Sequence, residues 1–187
     1  MKILTLALTL ILGALTMTAN AAPQPTTLKD PENTLILQLK DGEVAIQMFP
    51  EQAPLHVARI KELTREGYYN GKLWHRVIDG FMAQTGSPNG DGIGGSTKPD
   101  LKAEFNGISH IRGVASMAST AMPNSANAQF FIMLASNPGL DGNYTAWGQV
   151  VSGMDHVDNI KKGTLGNGMV ASPADTIIKA TIASDKK

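Results

Sequence analysis

The feature that most restricts this chain is the pair of alternating runs on either side of Asp41-Gly42. Leu35, Leu37 and Leu39 alternate with more polar neighbours, and Val44, Ile46 and Met48 do the same after the turn. Asp-Gly between alternating runs is a strong hairpin signal, because both residues tolerate the positive φ of a tight turn. With Asp41-Gly42 as a two-residue loop, Leu39 pairs with Val44, Leu37 with Ile46 and Leu35 with Met48, and Lys40 faces Glu43. All six apolar side chains then share one face.

The rest of the chain adds short segments of the same kind. Leu73–Ile78, Met82–Thr85, Gly113–Met117, Gln129–Leu134, Tyr144–Val150 and Thr176–Ala183 read as strands punctuated by turns. Only two helices are expected. Pro54 to Glu66 carries a stripe of Val57, Ile60 and Leu63, with Pro54 in the first turn and Gly67 at C′. Met154 to Lys162 follows Ser152 and Asp155, a capping-box-like pair, and stops at Gly163. Many short strands with two helices argue a mainly β fold, a closed or nearly closed antiparallel barrel whose ends the helices cover.

The N-terminus is expected to be removed. Lys2 precedes a nearly unbroken apolar run, Ile3 to Met17, and Ala19-Asn20-Ala21 completes a signal peptide over residues 1–21. That run of about 15 residues falls short of the roughly 20 that span a bilayer, so no membrane insertion is expected after cleavage. Residues 22–33, polar and proline-rich, read as a flexible mature N-terminus, and 34–187 as one domain. The expected location is the periplasm. Lys+Arg and Asp+Glu each total 16, so losing Lys2 leaves 15 against 16. A nucleic-acid binder carries a basic excess, which this chain lacks. Near-zero charge on one domain suits a monomer. Zero Cys excludes disulfides and thiolate chemistry.

Some apparent motifs carry no chemistry. Gly90-Asp91-Gly92-Ile93-Gly94-Gly95 matches G-x-G-x-x-G, but Ser96-Thr97-Lys98-Pro99-Asp100 cannot open the long helix a dinucleotide site needs. A sharply bent loop is the better reading. His56, His75, His110 and His156 show no metal-ligand spacing, and no G-x-S-x-G elbow is present. No metal and no cofactor is expected.

Two stretches stand out from an ordinary barrel surface. In Trp74 to Gln84, a two-residue loop at Asp79-Gly80 sets Arg76 opposite Ala83. A three-residue loop, Asp79 to Phe81, sets Arg76 opposite Gln84 and Ile78 opposite Met82. In Gln129 to Leu134, alternation puts Phe130, Ile132 and Leu134 on one face, expected to be core. Gln129, Phe131 and Met133 lie on the other, where an amide beside a large aromatic suits a half-open apolar pocket.

These residues, in order and spacing, resemble the cyclophilins, peptidyl-prolyl cis–trans isomerases. The anchors are Trp74 to Gly86, Asp91 to Gly95, Met117-Ala118, Ala128 to Ile132, Leu140-Asp141-Gly142 and Trp147-Gly148, and the likeness runs from about Thr34 to Ile182. With the signal peptide, the chain is similar to bacterial periplasmic members. The resemblance implies an eight-stranded antiparallel barrel with two capping helices and a groove on its outside. It implies Arg76 as the catalytic residue, with Phe81, Met82, Phe131 and Leu140 around the substrate proline, and Tyr144 where many relatives have His. Gln84 would bind the substrate backbone and orient Arg76. Gly92, Ala118, Ser119, Thr120 and Gln129 would line the adjoining peptide channel. The implied partners are proline-containing unfolded or partly folded polypeptides among exported proteins.

Besides Tyr144, the chain departs from the family at Gly139 and in one loop. Gly139 stands where many relatives carry an aromatic, so weak binding of cyclosporin is expected. The segment Ala118–Ala128 is one residue longer, which leaves the match of Ser119, Thr120 and Ala121 open by one position. Two other functions compete with the isomerase: a proline-binding module without turnover, and a small-ligand carrier using the barrel interior. The many large inward side chains argue against the carrier.

Overall fold

The computed structural model describes residues 29–164 and 166–186. The expected signal peptide and residues 22–28 of the expected flexible segment lie outside the described residues. Pro31–Asn33, assigned from sequence to that segment, instead form a 3-10 turn capped by Asp30, whose carboxylate accepts from the Asn33 side-chain amide at 2.8 Å. The described fold therefore begins before Thr34.

Its elements are β1 (Thr34–Leu39), β2 (Gly42–Met48), α1 (Pro54–Arg65), β3 (Arg76–Ile78), β4 (Met82–Thr85), β5 (Val114–Met117), β6 (Phe130–Met133), β7 (Ala146–Ser152), α2 (Met154–Asp158) and β8 (Lys179–Ile182). The strands form one sheet in the order β3-β4-β6-β5-β7-β2-β1-β8, and every neighbouring pair is antiparallel. The expected closed barrel is thus a half-barrel, because β3 and β8 do not pair. Irregular chain fills the seam. Gly71 and Trp74 donate to Ile177 and Asp175 at 2.7 and 2.9 Å, and Val77 donates to Gly168 at 2.8 Å.

The first hairpin keeps its expected face but not its expected register. Leu39 pairs with Gly42, Leu37 with Val44, Leu35 with Ile46 and Gln38 with Glu43, so the loop is Lys40-Asp41. A one-residue slip would reverse every side chain, whereas this difference shifts each partner by two and leaves the faces unchanged. Leu35, Leu37, Leu39, Val44, Ile46 and Met48 all enter the main core. Gly42 pairs within the strand, and the His156 ring occupies the space a side chain there would need.

Val57, Ile60 and Leu63 of α1 are buried as their spacing predicts. Its N-terminus is satisfied from a distance. Ala53 supplies no side-chain cap, and the Glu104 carboxylate accepts instead from the backbone N–H groups of Leu55 and His56 at 3.0 and 3.1 Å. Free N–H groups at a helix start need such an acceptor. The second helix is shorter than expected. Ser152 ends β7, and Gly153 occupies the cap with φ +80°, so no capping box forms.

The interior is filled. Phe130 meets Tyr69, Trp74 and Trp147 edge-on, with centroids 5.4, 6.2 and 5.4 Å away. All four side chains are wholly buried, and edge-to-face contact is the favoured arrangement for such rings. Phe130, Ile132 and Leu134 all point inward, the face assigned from alternation. A carrier would need this volume empty.

Candidate active site

The outer face of the same strands builds a second apolar cluster. Met82, Val114, Phe131, Met133 and Ala146 form it, with Ile78, Phe81, Ala118, Leu140 and Tyr144 packed around. Its geometry follows from the β3–β4 turn. Of the two registers open in the sequence, the three-residue loop forms, pairing Arg76 with Gln84, Val77 with Ala83 and Ile78 with Met82. Gly80 adopts φ +66° in that loop, and Phe81 N–H donates to Ile78 at 3.0 Å. Gly80 is the third residue of this β-turn, a position where a positive φ favours glycine. Gln84 in turn pairs with Phe131 of β6, so Arg76, Gln84 and Phe131 stand in a row across three strands.

A groove runs over this row in two lobes. The smaller, about 120 Å³, is lined by Arg76, Phe81, Met82, Gln84, Ala118, Ser119, Phe131, Leu140 and Tyr144. Phe131 is its buried floor. Tyr144 stands edge-on to Phe131 at 5.6 Å and faces the lobe. The larger lobe, about 470 Å³, is lined by Gly92, Thr120 and Gln129 among others, and shares Gln84, Ala118 and Ser119 with the smaller. Every candidate residue from the sequence therefore lines one or the other of two neighbouring lobes. The 118–128 loop sets Ser119 in both lobes and Thr120 in the larger. Ser125 braces it, accepting from Thr120 N–H at 2.9 Å.

A chain of hydrogen bonds fixes the one charge in the smaller lobe. Gln129 donates to the carbonyls of Gly92 and Gly94 at 3.0 and 2.8 Å. Its oxygen accepts from Gln84 at 3.0 Å, and the Gln84 oxygen accepts from Arg76 Nη1 at 3.4 Å. Arg76 Nε donates to the carbonyl of Asn167 at 2.8 Å. The guanidinium is held from two sides, through Nε by Asn167 and through Nη1 by Gln84.

The Gly-rich loop is the bend expected of it. Gly90, Gly92 and Gly94 adopt φ of +74°, +80° and +75°, and no helix follows. Asn127, not singled out in the sequence, anchors it by accepting from Ser96 N–H at 2.8 Å. His75 lies buried beneath, and burial pushes its pKa below the ordinary histidine value.

Sequence reasoning also missed a line of polar groups behind Phe131. His110 lies between Asp141 and Ser116, with Nδ1 3.0 Å from the Asp141 carboxylate and Nε2 3.0 Å from Ser116 Oγ. The three types match a nucleophile, a base and an orienting carboxylate. Ser116 is wholly buried, however, so no carbonyl carbon can reach its oxygen. Their separation along the chain follows no motif, and only the fold joins them. Among the described residues, no three His, Cys, Asp or Glu side chains gather as a metal site would require.

The structure thus presents an external groove with an oriented guanidinium over an aromatic floor. Residues 34–182 match the family model of the cyclophilin type peptidyl-prolyl cis-trans isomerase/CLD. A probable peptidyl-prolyl cis-trans isomerase of Brucella suis is 55% identical over 89% of this chain and 90% of its own length. A peptidyl-prolyl cis-trans isomerase-like 3 of Rattus norvegicus is 40% identical over 65% of this chain and 77% of its own. A crystal structure of a cyclophilin from Hirschia baltica superposes with a TM-score of 0.74 at 29% identity, covering 84% of this chain and 76% of that one. A Cryptosporidium parvum cyclophilin type isomerase, solved in the presence of the dipeptide Ala-Pro, gives 0.72 at 27% identity over 80% and 98%. The chain belongs to the cyclophilin family, and its activity is peptidyl-prolyl cis–trans isomerisation.

Proposed function

We propose that Arg76 is the catalytic residue, that the smaller lobe seats the substrate proline, and that the larger lobe carries the preceding peptide. An Xaa–Pro bond rotates slowly because rotation breaks amide resonance, at a barrier of about 18–20 kcal/mol. No bond is made or cut, so the reaction needs no nucleophile and no proton relay. In the twisted state the prolyl nitrogen becomes pyramidal and regains a lone pair. A donor aimed at that nitrogen stabilises the twisted state more than the planar one. Arg suits this because it stays charged and holds its donors in a fixed plane.

The observation that carries this proposal is the Arg76–Gln84–Gln129 chain, which aims the guanidinium across a lobe floored by Phe131. One charge-assisted hydrogen bond contributes about 1.5–3 kcal/mol. A 10⁵-fold acceleration needs roughly 7 kcal/mol. The remainder falls to the low-polarity lobe, which favours the less dipolar twisted amide, and to holding one side of the bond while the other rotates. The Ala-Pro dipeptide present with the Cryptosporidium relative fits this choice of ligand.

The test is cis–trans exchange of a short Ala-Pro peptide with the wild type and with Arg76→Ala. A large loss of kcat with peptide binding retained supports the assignment. A kcat equal to that of the wild type would overturn it.

The client polypeptides are exported proteins, whose folding the enzyme assists outside the inner membrane. The signal-like sequence of residues 1–21 supports this. Fractionation with mass measurement tests it: a periplasmic product starting near Ala22 agrees, and a full-length cytosolic chain does not. The absence of a side chain at Gly139, beside Leu140, supports weak cyclosporin binding. A dissociation constant of about 1 nM would contradict it.

A further inference from the structure

The Asp141–His110–Ser116 line takes no part in the chemistry above, yet it touches one wall and the floor of the smaller lobe. His110 is 1% exposed and makes four polar contacts. Its backbone N–H donates to Asp141 Oδ1 at 2.7 Å, and its carbonyl accepts from Asn137 N–H at 2.9 Å. Its ring approaches the same Asp141 oxygen through Nδ1 and Ser116 Oγ through Nε2, each at 3.0 Å. An ionised carboxylate only accepts, so Nδ1–H donates to Asp141.

Those contacts join two parts of the lobe. Asn137 and Asp141 flank the 3-10 turn Pro138–Leu140, and the same loop leads to Tyr144. Ser116 lies on β5 and pairs with Phe131, the floor. The His110 ring itself lies nearly parallel to Phe131, 25° apart with centroids at 6.3 Å, and edge-on to Tyr144. Among the described residues, the hydrogen bonds that leave residues 137–144 run to the 109–110 segment, and the others close within the loop. The wall that carries Leu140 and Tyr144 is thus tied to the rest of the molecule mainly at His110.

We propose that His110 is a positioning residue. It fastens the Leu140–Tyr144 wall to the Phe131 strand and thereby sets the width of the lobe. The inference rests on the smaller lobe being the proline seat. The wall meets the proline ring in planar and twisted states alike, so its loss acts on binding and not on the rotation step.

Three variants test it, with KM and kcat measured on an Ala-Pro peptide. Asp141→Ala removes both carboxylate contacts to His110 from a half-exposed side chain, keeps the Asn137–His110 backbone bond and leaves the core intact. His110→Gln keeps an amide within reach of Ser116 but loses the ring contact to Asp141. His110→Asn sets an amide nitrogen where Nδ1 stands and restores that contact. Asp141→Ala and His110→Gln are expected to raise KM about fivefold with kcat within about twofold, and His110→Asn to return KM to within about twofold of wild type. If His110→Gln does not fold, Asp141→Ala decides alone. An unchanged KM in folded Asp141→Ala, a loss of kcat at constant KM, or no recovery in His110→Asn overturns the proposal. Arg76→Ala measured alongside separates the two failures. If Arg76→Ala loses kcat while Asp141→Ala keeps its KM, only the positioning role falls. If Arg76→Ala keeps its kcat, the catalytic assignment falls as well.

Discussion

Replacing Arg76 by lysine separates charge from geometry. The guanidinium is anchored by Nε to the Asn167 carbonyl at 2.8 Å and by Nη1 to Gln84 at 3.4 Å, and so its plane is set before substrate arrives. Lysine keeps the positive charge but has one nitrogen for all three tasks. Its stem also ends about one C–N bond, roughly 1.3 Å, short of the Nη positions. A donor at about 2.8 Å from the prolyl nitrogen would recede to about 4 Å, beyond hydrogen-bond range. The loss is then the whole charge-assisted bond, about 1.5–3 kcal/mol, or roughly 10- to 150-fold in kcat. KM should hold within about twofold, because the contact forms fully only in the twisted state. Exchange spectroscopy on an Ala-Pro peptide, which resolves binding from rotation, measures both. An Arg76→Lys enzyme with more than half the wild-type kcat would refute the reasoning, since charge without the planar fork would then suffice.

Gly139→Trp should restore a wall to the groove and tighten cyclosporin binding at least about tenfold, or about 1.4 kcal/mol, by calorimetry. A Cβ there would lie 3.1 Å from Asn137 Oδ1, which also caps the turn by accepting from Gly139 N–H, so that side chain must give slightly for the fold to accept the change. Glu104→Ala removes the acceptor for two N–H groups of α1 and for the buried His56 ring. A lost cap and an unpaired buried donor together should lower stability by roughly 2–4 kcal/mol in urea unfolding. Glu32 binds Lys61, Ser184 and Arg65, which hold its carboxyl down at about 2 against an ordinary 4.5. Its stabilisation is therefore complete above pH 4.5 and lost as pH falls through 2. Urea midpoints should drop across that window, and less steeply in Glu32→Gln.

Alternation and turn chemistry were enough to assign the strands, the inward face of Phe130, Ile132 and Leu134, and the stripe of α1, because a side chain's direction repeats with the local backbone period. The ordered motifs from Trp74 to Gly148 carried the family, and with it the groove residues. The structure decided what local pattern leaves free. Face alternation permits any even shift, so the Lys40-Asp41 loop is visible only in the strand pairing of the folded sheet. The β3–β4 hairpin had two admissible registers, and the sheet took the one that sets Arg76 beside Gln84. The seam left open between β3 and β8, the Glu104 cap on α1 and the Asp141–His110–Ser116 line join residues dozens of positions or several strands apart. Their partners are chosen by where the packed chain runs. A sequence fixes the direction of a side chain through its neighbours, but its contacts exist only once distant segments share the same space.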